Sequence, residues 1–303
     1  MRTLVVASGK GGTGKTTLSA AFAHFAADDR PVVVADCDVE AANLPIALGA
    51  SDVVCEAFGG ASEAVIDVAA CSACGACVDV CRFGAVEPRV TGPDVAYHVD
   101  PWVCEGCGAC ALVCPTGAVT MRPKQAGEAC SGLTSIGPIV FGNLRPGEDL
   151  SGKLVTEVRE RARHLAETTD AALVVIDGPP GIGCPVIAAI VNTDHLVAVT
   201  EPSASGVHDL DRLVRLARRL DVPVSAILNK ADLSASGAER VRTYCAEAGI
   251  ELIGEVPFDP ALAKLLGGMA EGNDLPAPGE DGDGPGLAAV RAVWERVRAT
   301  VTS

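Results

Sequence analysis

The stretch that most limits what this chain can become is Ala7-Ser8-Gly9-Lys10-Gly11-Gly12-Thr13-Gly14-Lys15-Thr16-Thr17, which follows the apolar run Leu4, Val5, Val6 and precedes a segment patterned as a helix. Gly9, Gly14, Lys15 and Thr16 meet the spacing G-x4-G-K-S/T. A loop of this kind closes its backbone N–H groups around phosphates, its lysine neutralises β/γ charge, and its hydroxyl ligates Mg²⁺. The next apolar run, Pro31–Asp36, is β-branched and reads as a second buried strand, so the two strands and the helix of about Lys15–Ala27 form a βαβ unit. Such units are right-handed and place their ligand at the strands' C-terminal ends. The expected fold is therefore α/β, a doubly wound and mostly parallel sheet.

Composition agrees with that fold and excludes some functions. Aromatic residues are only 3% of a chain that is 49% hydrophobic, so the core must be Val, Leu, Ile and Ala, as in a parallel sheet covered by helices. A formal net charge of −15 argues against nucleic acid as a partner, since little would neutralise its phosphates. Met1-Arg2-Thr3 runs straight into the first strand and no apolar run approaches the length of a membrane span, so the chain reads as cytoplasmic, with membrane attachment not expected. In that compartment thirteen cysteines read as metal ligands rather than disulfides.

Lys10 adds a second lysine to the loop, and the resulting KGGTGKTT resembles the deviant Walker A ATPases: MinD, ParA, the nitrogenase iron protein and the Mrp/Nbp35 iron–sulfur carriers. The resemblance implies a nucleotide sandwich dimer, formed with a second copy or a paralogue, in which Lys10 reaches the partner's ATP. Asp36-Cys37-Asp38 resembles the family's DxD segment, which implies Asp36 near Mg²⁺ and Asp38 orienting water; either aspartate could instead cap a helix. Ala172–Gly183 is an apolar strand ending in Asp177 and a Gly/Pro loop, the form of a Walker B strand entering a switch loop. Asp177 would hold Mg²⁺ through water while Gly181 and Gly183 rearrange on loss of the γ-phosphate. Strand Leu196–Thr200 leads to Glu201-Pro202, and Val224–Leu228 leads to Asn229-Lys230-Ala231-Asp232, which resembles an adenine-contacting loop with Asn229 as the contact. The expected catalytic residues are Lys10, Lys15, Thr16, Asp38 and Asp177; Gly9 to Thr17 and Asn229 bind nucleotide.

A cysteine repeat supplies the second chemistry. Cys71-x2-Cys74-x2-Cys77-x3-Cys81 recurs 33 residues later as Cys104-x2-Cys107-x2-Cys110-x3-Cys114, and both copies end in Gly-Ala-Val. This resembles a bacterial two-cluster ferredoxin. Three cysteines wrap one 4Fe–4S cluster and the fourth reaches the other. That implies one cluster on Cys71, Cys74, Cys77 and Cys114, and another on Cys104, Cys107, Cys110 and Cys81. Pro115 follows Cys114 as the pattern expects, but Arg82 follows Cys81, which puts the local turn in doubt. Structural zinc fits less well, because its paired C-x2-C knuckles have no use for the x3-Cys arm.

The expected organisation is an ATPase domain over 1–63 and 124–303, interrupted by a ferredoxin-like domain over 64–123. Ser131–Gly147 reads as a glycine-rich stretch, about Gly152–Glu167 as a helix, and 272–286 as an acidic linker. Leu287, Val290, Trp294, Val297 and Val301 share one helical face, either packed on the sheet or, less in keeping with Glu295, facing a membrane. Cys37, Cys55, Cys130, Cys184 and Cys245 read as small buried hydrophobes, and the five histidines carry no assigned function. Together these features describe an ATP-hydrolysing protein that couples dimer closure to electron transfer with a redox partner protein. The alternatives are a cluster carrier of the Mrp/Nbp35 type, whose C-terminal CPxC pair this chain lacks, and a positioning ATPase.

Overall fold

The computed structural model describes residues 1–91, 94–262, 264 and 275–302. They form two compact units, one of 1–56, 129–144 and 151–303, the other of 57–128 with 145–150. In the first unit β1 (Arg2–Ser8) is buried from Leu4 through Ala7, so it can only lie inside a sheet covered on both faces. It pairs in parallel with β8 (Leu173–Pro180) and β9 (His195–Thr200). To one side follow β2 (Val32–Asp36), β7 (Gly137–Leu144), β6 (Val119–Thr134) and β3 (Ser51–Ile66); to the other lie β10 (Val224–Asn229) and β11 (Leu252–Val256). The nine-stranded order is β11-β10-β9-β1-β8-β2-β7-β6-β3, parallel from β11 to β7.

Ser131–Gly147, read above as a glycine-rich stretch, is instead the end of β6 and the whole of β7. Gly142 shows why a strand carries glycine here. A Cβ at that position would lie 2.8 Å from Val39 Cγ1 and 2.9 Å from Leu154 Cγ of α5 (Ser151–Thr168), so its absence lets helix and sheet close. A second correction concerns Cys55 and Cys130. They form a disulfide joining β3 to β6; Cys130 is buried as expected, but Cys55 is exposed and neither is a free thiol. The 75 residues between them hide from sequence a pairing that exists only once the strands are neighbours.

Helix α1 (Lys15–Ala27) follows the glycine-rich loop and is buried nearly all round, with small alanines admitting neighbours on several sides. One neighbour is the final helix, Pro285–Thr302, in which Leu287, Val290, Trp294, Val297 and Val301 are all buried and Trp294 meets Phe22 with ring centroids 5.6 Å apart. Burying those five side chains is worth roughly 10 kcal/mol, and here the burial is against the chain's own core. No helix among the described residues is long and apolar enough to cross a membrane. Of the acidic stretch 272–286, residues 272–274 lie outside the described residues; Leu275 is buried in the core, so the rest is not a free linker.

The second unit contains the cysteine repeat. Each copy has a short helix that carries its third cysteine and ends just before its fourth, α3 (Ala76–Val80) and α4 (Ala109–Val113), opened by Gly75 at φ 78° and Gly108 at φ 75°. An antiparallel ribbon, β4 (Val86–Thr91) with β5 (Asp94–Val99), joins the copies. Among the described residues the unit's buried core holds Ala64, Ala85, Val86, Val99, Ala118, Val119 and Ala126 together with the thiols of Cys77 and Cys110. A core this small needs covalent or metal support.

Candidate functional site

The loop that begins at Gly9 joins β1 to α1, whose first turn holds Lys15 to Thr17, at the C-terminal end of a strand inside the sheet. Gly14 opens the helix at φ 91°, and a Cβ there would also strike Asn229 Nδ2 at 2.3 Å, so only glycine fits. Lys15 is almost fully buried, with Nζ 3.7 Å from Asp38 Oδ2. Thr16 Oγ1 donates to Asp177 Oδ2 at 2.6 Å, and Ser19 Oγ donates to Asp177 Oδ1 at 2.8 Å. Ser19 lies three residues beyond Thr16 on the same helix face, a relation visible in sequence but not drawn from it.

Strands β2 and β8 run in register with Asp36 opposite Asp177, both fully buried. Burial pushes the Asp177 carboxyl up to about 6, against the pull of Lys15 and the two hydroxyls. Burial and then Asp177 raise Asp36 as well. Asp36 accepts the N–H groups of Asp38 and Leu44, each at 2.9 Å, and so shapes the loop into the short helix α2 (Leu44–Ala47), whose N-cap is Asn43 and neither aspartate. Two buried carboxylates, a threonine hydroxyl and a lysine make an oxygen-rich set suited to Mg²⁺ and a phosphate chain. Thr13 Oγ1 in the same loop is buried without a hydrogen-bond partner, as expected of a hydroxyl facing a ligand position.

The raised Asp177 carboxyl gives a testable pH dependence. Its ordinary value is 3.8, so the metal-free fold loses stability as pH climbs from there to about 6. Below that upper value an incoming Mg²⁺ must displace a proton. Mg²⁺-dependent nucleotide affinity should fall about tenfold per pH unit below 6 and level off above 7. Calorimetry in buffers of different ionisation enthalpy counts the proton; affinity unchanged from pH 5 to 8 would contradict the assignment.

Two loops hold the phosphate loop in place: the one after β9, to which the sequence reading gave no role, and the one after β10, read there as an adenine contact. Glu201, just beyond β9, accepts from Lys10 Nζ, which also reaches Ser205 Oγ at 3.1 Å and Ser203 Oγ at 3.3 Å. Burial alone would raise the Glu201 carboxyl, but Lys10 and Lys230 outweigh it and hold it below its ordinary value. Beyond β10, Asn229 Nδ2 donates to the Thr13 carbonyl at 2.8 Å and Lys230 Nζ to the Gly12 carbonyl at 2.7 Å. The structure thus spends the Asn229 amide on the loop. Cys184, expected to be buried, is exposed at the start of α6 (Cys184–Ile190). β8 also continues past Asp177 to Pro180 before the switch loop, where Gly181 takes φ 95°.

The match to known proteins follows this geometry. A model of the CobQ/CobB/MinD/ParA nucleotide binding domain matches residues 4–269. The chain belongs to that family. Among its relatives, the uncharacterized protein MJ0578 of Methanocaldococcus jannaschii is 32% identical over 87% of each chain, and MJ0579 of the same organism is 30% identical over 77% of this chain and 82% of its own. A third, the uncharacterized ATP-binding protein MJ0547, is 26% identical over 86% of this chain and 76% of its own. The fold is that of MinD from Pyrococcus horikoshii, solved with Mg-ADP, at a TM-score of 0.58 and 18% identity over 98% of this chain and 95% of that one. Cell division ATPase MinD of Pyrococcus furiosus aligns at 0.55, also at 18% identity, over 98% of each chain. This MinD/ParA-type domain is therefore a mostly parallel α/β P-loop fold.

The eight repeat cysteines are gathered into two groups. Cys81, Cys104, Cys107 and Cys110 line one cavity, and Cys71, Cys74, Cys77 and Cys114 line another. Each fourth cysteine has therefore crossed to the other copy's triplet. The Arg82 departure leaves no mark on the turn: Cys81 has φ −76° and ψ 104°, Cys114 before its proline φ −72° and ψ 113°. Backbone N–H groups face the sulfurs, Ala73 to Cys71 and Ala85 to Cys81, both at 3.4 Å. At Cys114 the Thr116 hydroxyl and then the Val119 N–H lower the thiol to about 7. At Cys81 burial raises the thiol, but four N–H groups led by Ala85 prevail and lower it.

Proposed function

We propose that this MinD/ParA-family chain is an ATP-hydrolysing iron–sulfur protein in which nucleotide-driven dimer closure gates electron transfer through two 4Fe–4S clusters. The observation that carries the reading is the crossed grouping of eight cysteines into two sets of four, each lining its own cavity. Four thiols with N–H donors around them suit a cluster, which stabilises thiolate charge, and the small core of this unit leaves a structural need that clusters would fill. Bound there, the clusters supply one-electron chemistry to an external redox protein.

At the other site Lys15 and Thr16 hold the β/γ-phosphates with Mg²⁺, Asp177 and Asp36 complete the cation's surroundings, and Asp38 orients the attacking water. ATP is supported by the ATP-binding relative MJ0547 and by the Mg-ADP of the P. horikoshii MinD structure. Lys10 leaves Glu201 to reach the nucleotide of a second copy or a paralogue. The coupling follows from the chain's path. It leaves the nucleotide-binding unit along β3, soon after the Asp36–Leu44 loop, and returns through β6 into β7, which pairs with β2 at Asp36.

Anaerobic reconstitution tests the reading. About eight iron and eight sulfide per chain are expected, with a non-hydrolysable ATP analogue moving the midpoint by tens of millivolts, since a tenfold affinity ratio is worth about 59 mV for one electron. Zinc without sulfide would end the iron–sulfur reading. Identical potentials and electron-transfer rates with no nucleotide, ADP and the analogue would end the gating.

A further inference from the structure

The Cys55–Cys130 disulfide has no part in either site described above, and its two sulfurs sit in opposite surroundings. Cys130 is fully buried in the main core of the nucleotide-binding unit, where Asn143 Nδ2 on β7 donates to its Sγ at 4.0 Å. Cys55 is exposed, as is every residue of β3 from Ser51 to Glu56. Strand β3 ends the nine-strand order, so one of its edges faces away from the sheet. An incoming thiol therefore meets the bond from the Cys55 side.

This unit does not depend on the bond for its core. The cluster that contains Cys130 runs from Leu4 through Phe22 to Trp294, far larger than the cores that disulfides are used to support. The chain's other thiols also tell against a permanent crosslink: Cys184 is an exposed free thiol, and Cys37 and Cys245 are buried free ones. Where such thiols persist, disulfides are rare and those that form are redox-active. Exposed disulfides are the ones that exchange, whereas structural ones resist reduction.

What the bond holds is a pair of crossings. The nucleotide-binding unit breaks off at Glu56 and resumes at Ala129, so the bond ties the residue before the break to the residue after the resumption. Without it the exposed start of β3 keeps its ladder to β6 and an ion pair from Arg161 Nη2 to Glu56 Oε2 at 2.9 Å. Glu56 is 68% exposed, and a pair that open adds little.

We propose that Cys55–Cys130 is a thiol–disulfide exchange site whose substrate is a protein dithiol, and that reduction unclasps the exposed end of β3. The reductant's first thiolate attacks Cys55 Sγ, the S–S bond breaks, and Cys130 leaves with the electron pair as a thiolate that takes up a proton. The Asn143 amide faces the charge as it develops. Cys130 stays in the core beside the mixed disulfide and reverses the step against a lone thiol. A second thiol on the reductant completes it by attacking the reductant's own sulfur. Cys55 then leaves as a thiolate and is protonated, and the reductant becomes the disulfide. Two electrons and two protons have passed to the pair.

The test treats the full-length folded chain with reduced thioredoxin or with glutathione at equal thiol concentration, followed by acid quench, alkylation and peptide mass spectrometry. Thioredoxin should open the bond at least about tenfold faster than glutathione. A thioredoxin lacking its second thiol should be caught on Cys55 and not on Cys130. Hydrogen exchange over Ser51–Glu56 should rise on reduction and fall again when oxidised thioredoxin closes the pair. A bond that opens only after denaturation would overturn the exchange site and make the disulfide structural. Equal rates with glutathione would overturn the dithiol assignment, and exchange over Ser51–Glu56 unchanged by reduction would overturn the clasp.

Discussion

Replacing Cys81 by serine is expected to strip iron from the cavity built on Cys104, Cys107 and Cys110 while the Cys71 set keeps its own. Iron should fall from about eight to about four per chain, because a cluster with one corner unheld is lost or degraded. The geometry makes the assignment unusual: Cys81 follows the first triplet in sequence yet lines the cavity of the second. Double variants turn this into a decisive comparison. Cys81→Ser combined with Cys104→Ser should cost no more iron than either alone, since both damage one site. Cys81→Ser with Cys71→Ser should empty both. The reverse pattern would show uncrossed sites. Loss of both clusters should also lower the unfolding temperature of this unit, whose buried core among the described residues, apart from the cysteines, is seven alanines and valines.

What could be read in advance divides by distance along the chain. The glycine-rich loop, α1 and β2 are local patterns, and the structure places them within a residue or two of the expectation; the strand carrying Asp177 is local too, but runs on three residues to Pro180. The cysteine sets were legible because a short helix carries each fourth cysteine away from its triplet in a way the x3 spacing encodes. The face of the last helix was legible because Trp294 and four aliphatic residues repeat with helical period, and it proved to be core. The glycines of β6 and β7 misled because they serve close packing, as Gly142 does, instead of turns. Long-range partners left no trace at all. Glu201 lies 191 residues from Lys10, and Cys55 meets Cys130 only because β3 and β6 are sheet neighbours. Cys184 was expected inside because most free cysteines are; its place at the first residue of α6 puts it outside.

The two lysines of the loop should separate binding from hydrolysis. Lys15 is buried beside Asp38 and near two further buried carboxylates, so Lys15→Ala removes the cation those acids and the phosphates share. Truncating one member of a buried charge pair costs about 3 kcal/mol, which lowers nucleotide affinity a hundredfold or more. Lys10 is in a different position. In the free chain it touches Glu201, Ser203 and Ser205, none of them in the phosphate loop, and its side chain is 31% exposed. An ion pair this open is worth at most about 1 kcal/mol, so dimer closure can break it readily. Lys10→Ala should therefore leave the monomer's nucleotide affinity within a few-fold of wild type. Hydrolysis should fall about a thousandfold, the scale on which a cation supplied in trans acts on phosphoryl transfer. Sedimentation with a non-hydrolysable triphosphate should show wild type as a dimer and Lys10→Ala as a monomer, with phosphate release read on the same samples. A Lys10→Ala monomer that hydrolysed nucleotide at the wild-type rate would confine Lys10 to its own chain. Its pairing with Glu201 would then be its whole role.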